Sequence, residues 1–105
     1  MEKRMKVCLV TGATGFIGQH MLAELAAAGR KVLALGKPEE VFCTAVLRDA
    51  GIRTAAAFPV SAAAFAKSDV QFCFGDVADG KFIESVFAAA EKGGMDIEFV
   101  LHFAA

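Results

Sequence analysis

The chain has 105 residues, of which 56% are hydrophobic, and its formal net charge at pH 7 is −1. This length allows one domain, and the almost neutral charge gives no electrostatic case for binding nucleic acid or a membrane surface. The apolar runs are far shorter than the ~20 residues of a membrane span. Cys8, Cys43 and Cys73 are widely spaced in apolar surroundings. They predict reduced core thiols in a cytoplasmic protein.

The first half of the chain predicts two strands, each followed by a helix. Residues 7–10 form a short apolar run that is typical of a buried strand. A helical pattern covers 16–28, with Gly29 as its carboxyl-terminal cap. The second predicted strand is 31–36. Pro38 suits the first position of the next helix, which ends at Gly51.

The second half begins with a weakly patterned stretch, 52–69, in which Ser61 could cap a short alanine-rich helix ending at Lys67. A third strand is predicted over 70–74. Asp79 then caps a helix that ends at Gly93 and Gly94, and a fourth strand covers 97–103. The inward face of this helix is predicted to contain Phe82, Ile83, Val86, Phe87 and Ala90. The order βαβαβαβ predicts parallel strands joined by right-handed crossovers.

A glycine-rich turn, Thr11 to Gly18 (TGATGFIG), lies between the first strand and the first helix. This placement is typical of a site for a dinucleotide pyrophosphate in a Rossmann-type fold. Gly12 allows the tight turn, Gly15 lets the backbone approach the phosphates, and Gly18 lets the helix pack closely on the sheet. The backbone N–H groups of Phe16 and Ile17 lie at the positive end of the helix. The alternative is a glycine-rich turn that binds nothing.

Three segments resemble the short-chain dehydrogenase/reductase superfamily, and in particular its extended branch of sugar-nucleotide epimerases and dehydratases. TGATGFIG, which includes Thr14, resembles the nucleotide-binding signature. Gly75-Asp76-Val77 resembles the acidic turn whose aspartate contacts adenine, and His102-Phe103-Ala104-Ala105 resembles the turn that lies along the cofactor. The resemblance implies cofactor contacts at these positions: Gly12, Thr14, Gly15, Phe16, Ile17, Gly18, Asp76, Val77, His102, Ala104 and Ala105.

Two of these residues have other interpretations. Asp76 could simply cap a turn, as aspartates after glycine often do. His102 could be a satisfied core histidine at a strand end. Beside Ala104 and Ala105, we expect it to pack against the dinucleotide instead of performing acid–base chemistry.

The choice between NAD and NADP depends on the end of the second strand. An acidic residue there binds the ribose hydroxyls of NAD, whereas a basic one pairs with the 2′-phosphate of NADP. Here Lys37 follows Gly36, which favours NADP. Glu39 and Glu40 lie nearby and would repel a phosphate if they pointed inward, and Lys37 could equally be an ordinary exposed lysine.

No catalytic or metal-binding set is predicted. Members of the resembling family use a tyrosine in a Tyr-x-x-x-Lys pair as acid or base, and these 105 residues contain no tyrosine. We therefore expect the cofactor-binding part of a longer NAD(P)-dependent epimerase, dehydratase or reductase that acts on a nucleotide sugar or a similar substrate. The alternatives are a non-catalytic dinucleotide-binding sensor or regulator and a truncated product without function.

The predicted fold is a partial Rossmann-type α/β domain over residues 1–105, truncated after the fourth strand. It is a doubly wound parallel sheet of about four strands in the order 3-2-1-4, with helices on both faces. The fourth strand would be an apolar edge containing Phe99, Val100, Leu101 and Phe103. Such an edge predicts self-association.

Overall fold

The computed structural model describes residues 4–12, 16–36, 45–56, 62–66, 68–76 and 78–102. Its elements, in chain order, are β1 (Met5–Thr11), α1 (Phe16–Ala27), β2 (Lys31–Gly36), α2 (Ala45–Asp49), β3 (Thr54–Ala56), a 3₁₀ helix (Ala62–Ala66), β4 (Val70–Phe74), α3 (Gly80–Lys92) and β5 (Met95–His102).

The strands form one sheet in the order β3-β4-β2-β1-β5, and every neighbouring pair is parallel. The four predicted strands therefore lie in the predicted order. β3 is an addition that the sequence did not predict, since three residues are too few for a recognisable pattern. It pairs with β4 at the outer edge of the sheet. The sheet thus has five strands instead of the predicted four.

Two hydrophobic clusters cover the two faces of the sheet. One contains Leu22 of α1 and Leu47 of α2 against Val10, Val32 and Val70. The other joins the 3₁₀ helix and α3 to the opposite sides of the same strands, through residues that are all buried: Val7, Leu9, Leu33, Leu35, Phe65, Cys73, Val86, Ala90 and Met95. Helices therefore lie on both faces, which explains why β1, β2 and β4 are apolar almost throughout.

The helix ends are set by local residues. The Asp79 carboxylate accepts a hydrogen bond from the backbone N–H of Lys81, at 3.0 Å, and so caps α3 as predicted. Gly29 follows α1 with a φ of +83°, a conformation that costs a residue with a side chain ~1–2 kcal/mol. The predicted start of the second helix, at Pro38, lies outside the described residues. So do Ser61 and Lys67, the predicted ends of the short helix that the structure places at Ala62–Ala66.

One inward position of α3 was wrongly predicted. Phe87 is 42% exposed, whereas Val86 and Ala90 are buried and Phe82 and Ile83 are partly buried. The apolar stripe in the sequence of α3 is therefore wider than the face of the helix that packs against the sheet.

The edge strand β5 has an irregular register against β1. Val7 lies opposite Ile97, but the next residue, Cys8, lies opposite Phe99, so Glu98 is an extra residue in β5. Residues after this bulge change faces relative to those before it. Ile97 packs with the cluster beneath α3, whereas Leu101 packs with the cluster beneath α1 and α2.

One ion pair lies just before this bulge and another lies at it. Arg4 Nε is 2.7 Å from an Asp96 oxygen, and Arg30 Nη1 is 2.6 Å from a Glu98 oxygen. The Arg30 guanidinium also lies 5.2 Å from the centre of the Phe99 ring. β5 is consequently an edge with charged groups along its first half and apolar or neutral side chains in its second half.

Candidate functional site

The carboxyl ends of four strands meet at one edge of the sheet. Thr11 lies opposite both Leu35 and His102, and Gly36 lies opposite Phe74. The chain runs from β1 to β2, then to β3 at the outer edge and back to β4 beside β2, before it places β5 on the other side of β1. The connection therefore reverses between β1 and β5, and open α/β sheets bind ligands outside the carboxyl ends of their strands at such a point.

The glycine-rich turn leaves the sheet at this reversal. Gly12 has a φ of +69°, which a residue with a β-carbon adopts only with strain. α1 begins at Phe16, so the amino-terminal end of this helix follows the turn in the sequence. Gly18 is buried within the first turn of α1. The sequence assigned a tight turn to Gly12, the helix start to Phe16 and Ile17, and close packing of the helix on the sheet to Gly18, and the binding of a pyrophosphate by these residues stays a prediction.

Thr11 and His102 join the ends of β1 and β5. Thr11 Oγ1 is hydrogen-bonded to His102 Nδ1. Thr11 is only 4% exposed, whereas His102 is exposed. His102 is therefore not a core histidine: its ring lies at the surface and is attached through one nitrogen to a buried hydroxyl. Thr11 was not singled out from the sequence, although a polar residue that ends an apolar strand just before a glycine turn was a visible signal.

Asp76 lies at the same edge, two residues after β4. Its Oδ1 accepts a hydrogen bond from the backbone N–H of Ala78, at 2.9 Å, and its carbonyl oxygen accepts one from Asp79 N–H, also at 2.9 Å. Asp76 thus does form a turn, as the simpler interpretation expected. Its side chain is nevertheless exposed, and its second carboxylate oxygen receives no hydrogen bond from any residue that the structure describes.

The remaining predicted positions lie outside the described parts of the chain. This applies to Thr14, Gly15, Lys37, Val77, Ala104 and Ala105, and to the side chains of Phe16 and Ile17. The structure places Gly12, Asp76 and His102 at one edge and Gly18 in the first turn of α1, and the cofactor contacts assigned to all of the predicted residues stay predictions.

A cluster of three charged side chains lies at the opposite edge. Asp69, just before β4, forms ion pairs with Arg53 at 3.1 Å and Lys31 at 3.3 Å. Hydrogen bonds from Arg53 hold the pKa of Asp69 at about 2, below its ordinary value. The amino ends of β2 and β4 are joined by this cluster, so its role is structural and distant from the candidate site.

Other features contribute nothing to the candidate site. A groove of about 520 Å³ lies beside the first half of β5, and Arg4, Phe87, Glu91 and Ile97 are among its lining residues. It is at the far end of β5 from His102. Within the described ranges, no group of His, Cys, Asp and Glu side chains could hold a metal ion. The helices in these ranges include none that is long and apolar enough to cross a membrane.

The parallel order and the crossover at β1 define a Rossmann-type α/β fold. The chain belongs to the NAD dependent epimerase/dehydratase family, whose model matches residues 8–105. The family description gives a nicotinamide dinucleotide as the cofactor, and the tight turn at Gly12 together with the start of α1 fits its pyrophosphate. No curated protein matches the chain.

Two solved structures are similar to the chain. A variant of the actinorhodin polyketide ketoreductase, solved with NADPH, superposes with a TM-score of 0.64 and 24% identity, over 96% of this chain and 33% of that one. A candidate epimerase from Burkholderia cenocepacia J2315 superposes with a TM-score of 0.51 and 27% identity, over 99% of this chain and 26% of that one. The chain thus spans about a third and about a quarter of these two proteins.

Proposed function

We propose that residues 1–105 form the dinucleotide-binding domain of an NAD(P)-dependent epimerase, dehydratase or reductase. The observation that supports this most directly is the position of Gly12. Gly12, with its left-handed backbone, lies where the sheet connection reverses, and α1 begins four residues later at Phe16. Backbone donors and the positive end of a helix at this place favour a pyrophosphate.

Each contact in this proposal has a chemical role. The pyrophosphate would be bound by Gly12, Thr14 and Gly15 of the turn and by the backbone N–H groups of Phe16 and Ile17. Gly18 would let α1 lie close to the sheet. The second carboxylate oxygen of Asp76 would accept a hydrogen bond from the adenine amino group, with Val77 as a further contact. His102, Ala104 and Ala105 would lie along the dinucleotide.

We propose NADP as the preferred cofactor, with Lys37 pairing with its 2′-phosphate. Lys37 directly follows the buried end of β2, and no carboxylate occupies that position. K37A should weaken NADPH binding while leaving NADH binding unchanged. K92A, at the exposed end of α3, is the matched control and should alter neither.

The substrate of this proposal is a nucleotide sugar or a similar carbonyl or alcohol compound. Bound cofactor would supply hydride transfer. The tyrosine that such chemistry requires is absent from these 105 residues, so we place it, and the substrate-binding groups, outside them. The buried thiols of Cys8 and Cys73 are consistent with a cytoplasmic location, which also belongs to the proposal.

The edge strand supports a further part of the proposal, that the chain associates with itself. β5 is the outermost strand beyond β1, and Val100 on it is 48% exposed. An eight-residue edge with an apolar second half is a template for pairing with another strand.

The main test compares two glycines that have nearly the same positive φ, a conformation that would be strained for any other residue. Gly12 has a φ of +69° and Gly51 a φ of +75°, and an added β-carbon at Gly51 meets nothing within 4 Å. G12A and G51A should each lower stability by about 1–2 kcal/mol. Only G12A should weaken NADPH binding, by tenfold or more, in a fluorescence titration. Equal NADPH affinity in G12A and wild type would contradict the proposed site.

A further inference from the structure

We propose that Thr11 is a positioning residue, which holds the His102 ring so that its Nε2–H donates a hydrogen bond to a phosphate or ribose oxygen of the dinucleotide. This inference rests on the proposed cofactor function and deepens it. It assigns Thr11 a role that its sequence position alone did not indicate. It also changes the role of His102 from apolar packing to a polar contact.

The geometry at the strand ends supports this arrangement. Thr11 and His102 lie opposite each other in the β1–β5 register, and Thr11 Oγ1 is bonded to His102 Nδ1. Because Thr11 is 4% exposed, its hydroxyl has little access to water and stays with the partner beside it. The backbone turns away directly afterwards, at Gly12, so the imidazole is attached next to the first residue of the phosphate turn.

The proposal assigns the donor role in this hydrogen bond to the Thr11 hydroxyl. A threonine hydroxyl that donates to Nδ1 fixes the neutral imidazole with its proton on Nε2. No residue that the structure describes forms a hydrogen bond with Nε2. The ring is exposed, so Nε2–H is available at the carboxyl edge of the sheet, where phosphate and ribose oxygens are the natural acceptors of a bound dinucleotide.

Two substitutions of His102 distinguish the contribution of its Nδ1 atom from that of its Nε2 atom. In H102N, the side-chain amide occupies the place of Nδ1, so the contact with Thr11 can persist while Nε2 is lost. In H102Q, the amide reaches the place of Nε2 but loses the Thr11 contact. We expect H102N to keep the wild-type Tm and to bind NADPH about fivefold more weakly, the usual scale of one hydrogen bond. H102Q should retain part of the affinity.

Thr11 is tested by T11V and T11S in a double-mutant cycle. Valine has nearly the shape of threonine and suits a buried strand, so T11V should remain folded, while T11S keeps the hydroxyl. T11V should weaken NADPH binding about fivefold in the His102 protein but leave it unchanged in the H102N background, because Thr11 acts through His102. T11S should restore binding. Nitrogen NMR of the imidazole, measured without cofactor, should show the proton on Nε2 in wild type and T11S, and a mixture of tautomers in T11V.

The outcomes separate this inference from the function on which it rests. If wild type binds NADPH but H102N binds it equally well, or if T11V has the same effect in both backgrounds, the positioning role is overturned and the binding function stands. A proton on Nδ1 in the wild-type protein would also overturn it. If wild type does not bind NADPH at all while the NMR pattern is as expected, the proposed function fails instead, and the role of the pair toward the cofactor fails with it.

Discussion

The ring of Phe82 in α3 lies directly over Gly75, the residue that follows β4. A β-carbon added to Gly75 would lie 2.4 Å from Phe82 Cε1, too close for any side chain. The N–H of Gly75 also donates to the carbonyl oxygen of Gly36, at 2.8 Å, so its backbone is fixed to the end of β2. Any β-carbon at residue 75 therefore requires the Phe82 ring to move, and Gly75 precedes Asp76 at the proposed adenine contact.

This contact predicts that G75A destabilises the protein. The Phe82 ring must move away from the hydrophobic cluster beneath α3, and overpacking of this kind costs about 1–3 kcal/mol. G80A is the control, because an added β-carbon at Gly80 meets nothing within 4 Å, and its stability should be unchanged or raised by up to about 1 kcal/mol. Urea unfolding of both variants measures the difference. Equal stabilities would show that the Phe82 ring moves aside at no cost.

The strand order was predictable, whereas the arrangement of β5 was not. Short apolar runs that alternate with helical patterns identify parallel strands, and the glycine turn identifies the strand at which the sheet reverses. The alternation of Ile97, Phe99 and Leu101 would place all three on one face of a regular strand. The bulge at Glu98 places Ile97 and Leu101 against different faces, and a bulge depends on the partner strand, which a local sequence pattern does not contain.

The candidate site was predictable at its glycines and less so at its side chains. A left-handed turn favours glycine, so the sequence identifies Gly12 as the residue at which the backbone turns after β1. The Thr11–His102 bond joins residues 91 positions apart, and only the register of β1 against β5 brings them together. The exposure of Phe87 likewise depends on which elements pack against α3, which its own periodicity does not determine.

The ion pairs of Asp69 predict a loss of stability in acid. The pKa of Asp69 is about 2 in the folded protein, below the ordinary value of ~3.9 expected in the unfolded chain. The stabilisation is therefore present above about pH 4 to 5 and disappears as the pH falls toward 2. D69N should be less stable than wild type by about 1 kcal/mol at pH 7, after allowance for solvent screening. The urea midpoints of wild type and D69N, measured between pH 7 and pH 2, should become equal near pH 2. The difference between the midpoints of wild type and E84Q, a substitution on the exposed side of α3, should show no such trend.

The thiol of Cys73 is predicted to be unreactive in the folded protein. Burial raises its pKa to about 11 and also blocks access to it, so that only about a thousandth of it would be thiolate at pH 8 even if it were reachable. Alkylation by iodoacetamide at pH 8, followed by mass spectrometry of the peptides, should be at least 100-fold slower than in urea. The thiol of Cys8 is buried as well and should behave in the same way. Fast labelling of Cys73 in the native protein would show that β4 opens readily.

The exposed half of β5 predicts concentration-dependent association, which a single charge should prevent. Val100 is 48% exposed on the outermost strand, and edge strands in natural proteins avoid pairing by presenting lysine. V100K should therefore remain monomeric in sedimentation experiments at concentrations where the wild-type chain forms dimers or larger species. V100T changes the polarity with little change in shape or charge, and we expect it to associate nearly as strongly as wild type. A wild-type chain that stays monomeric throughout, or a V100K variant that associates as wild type does, would exclude β5 as the contact between copies.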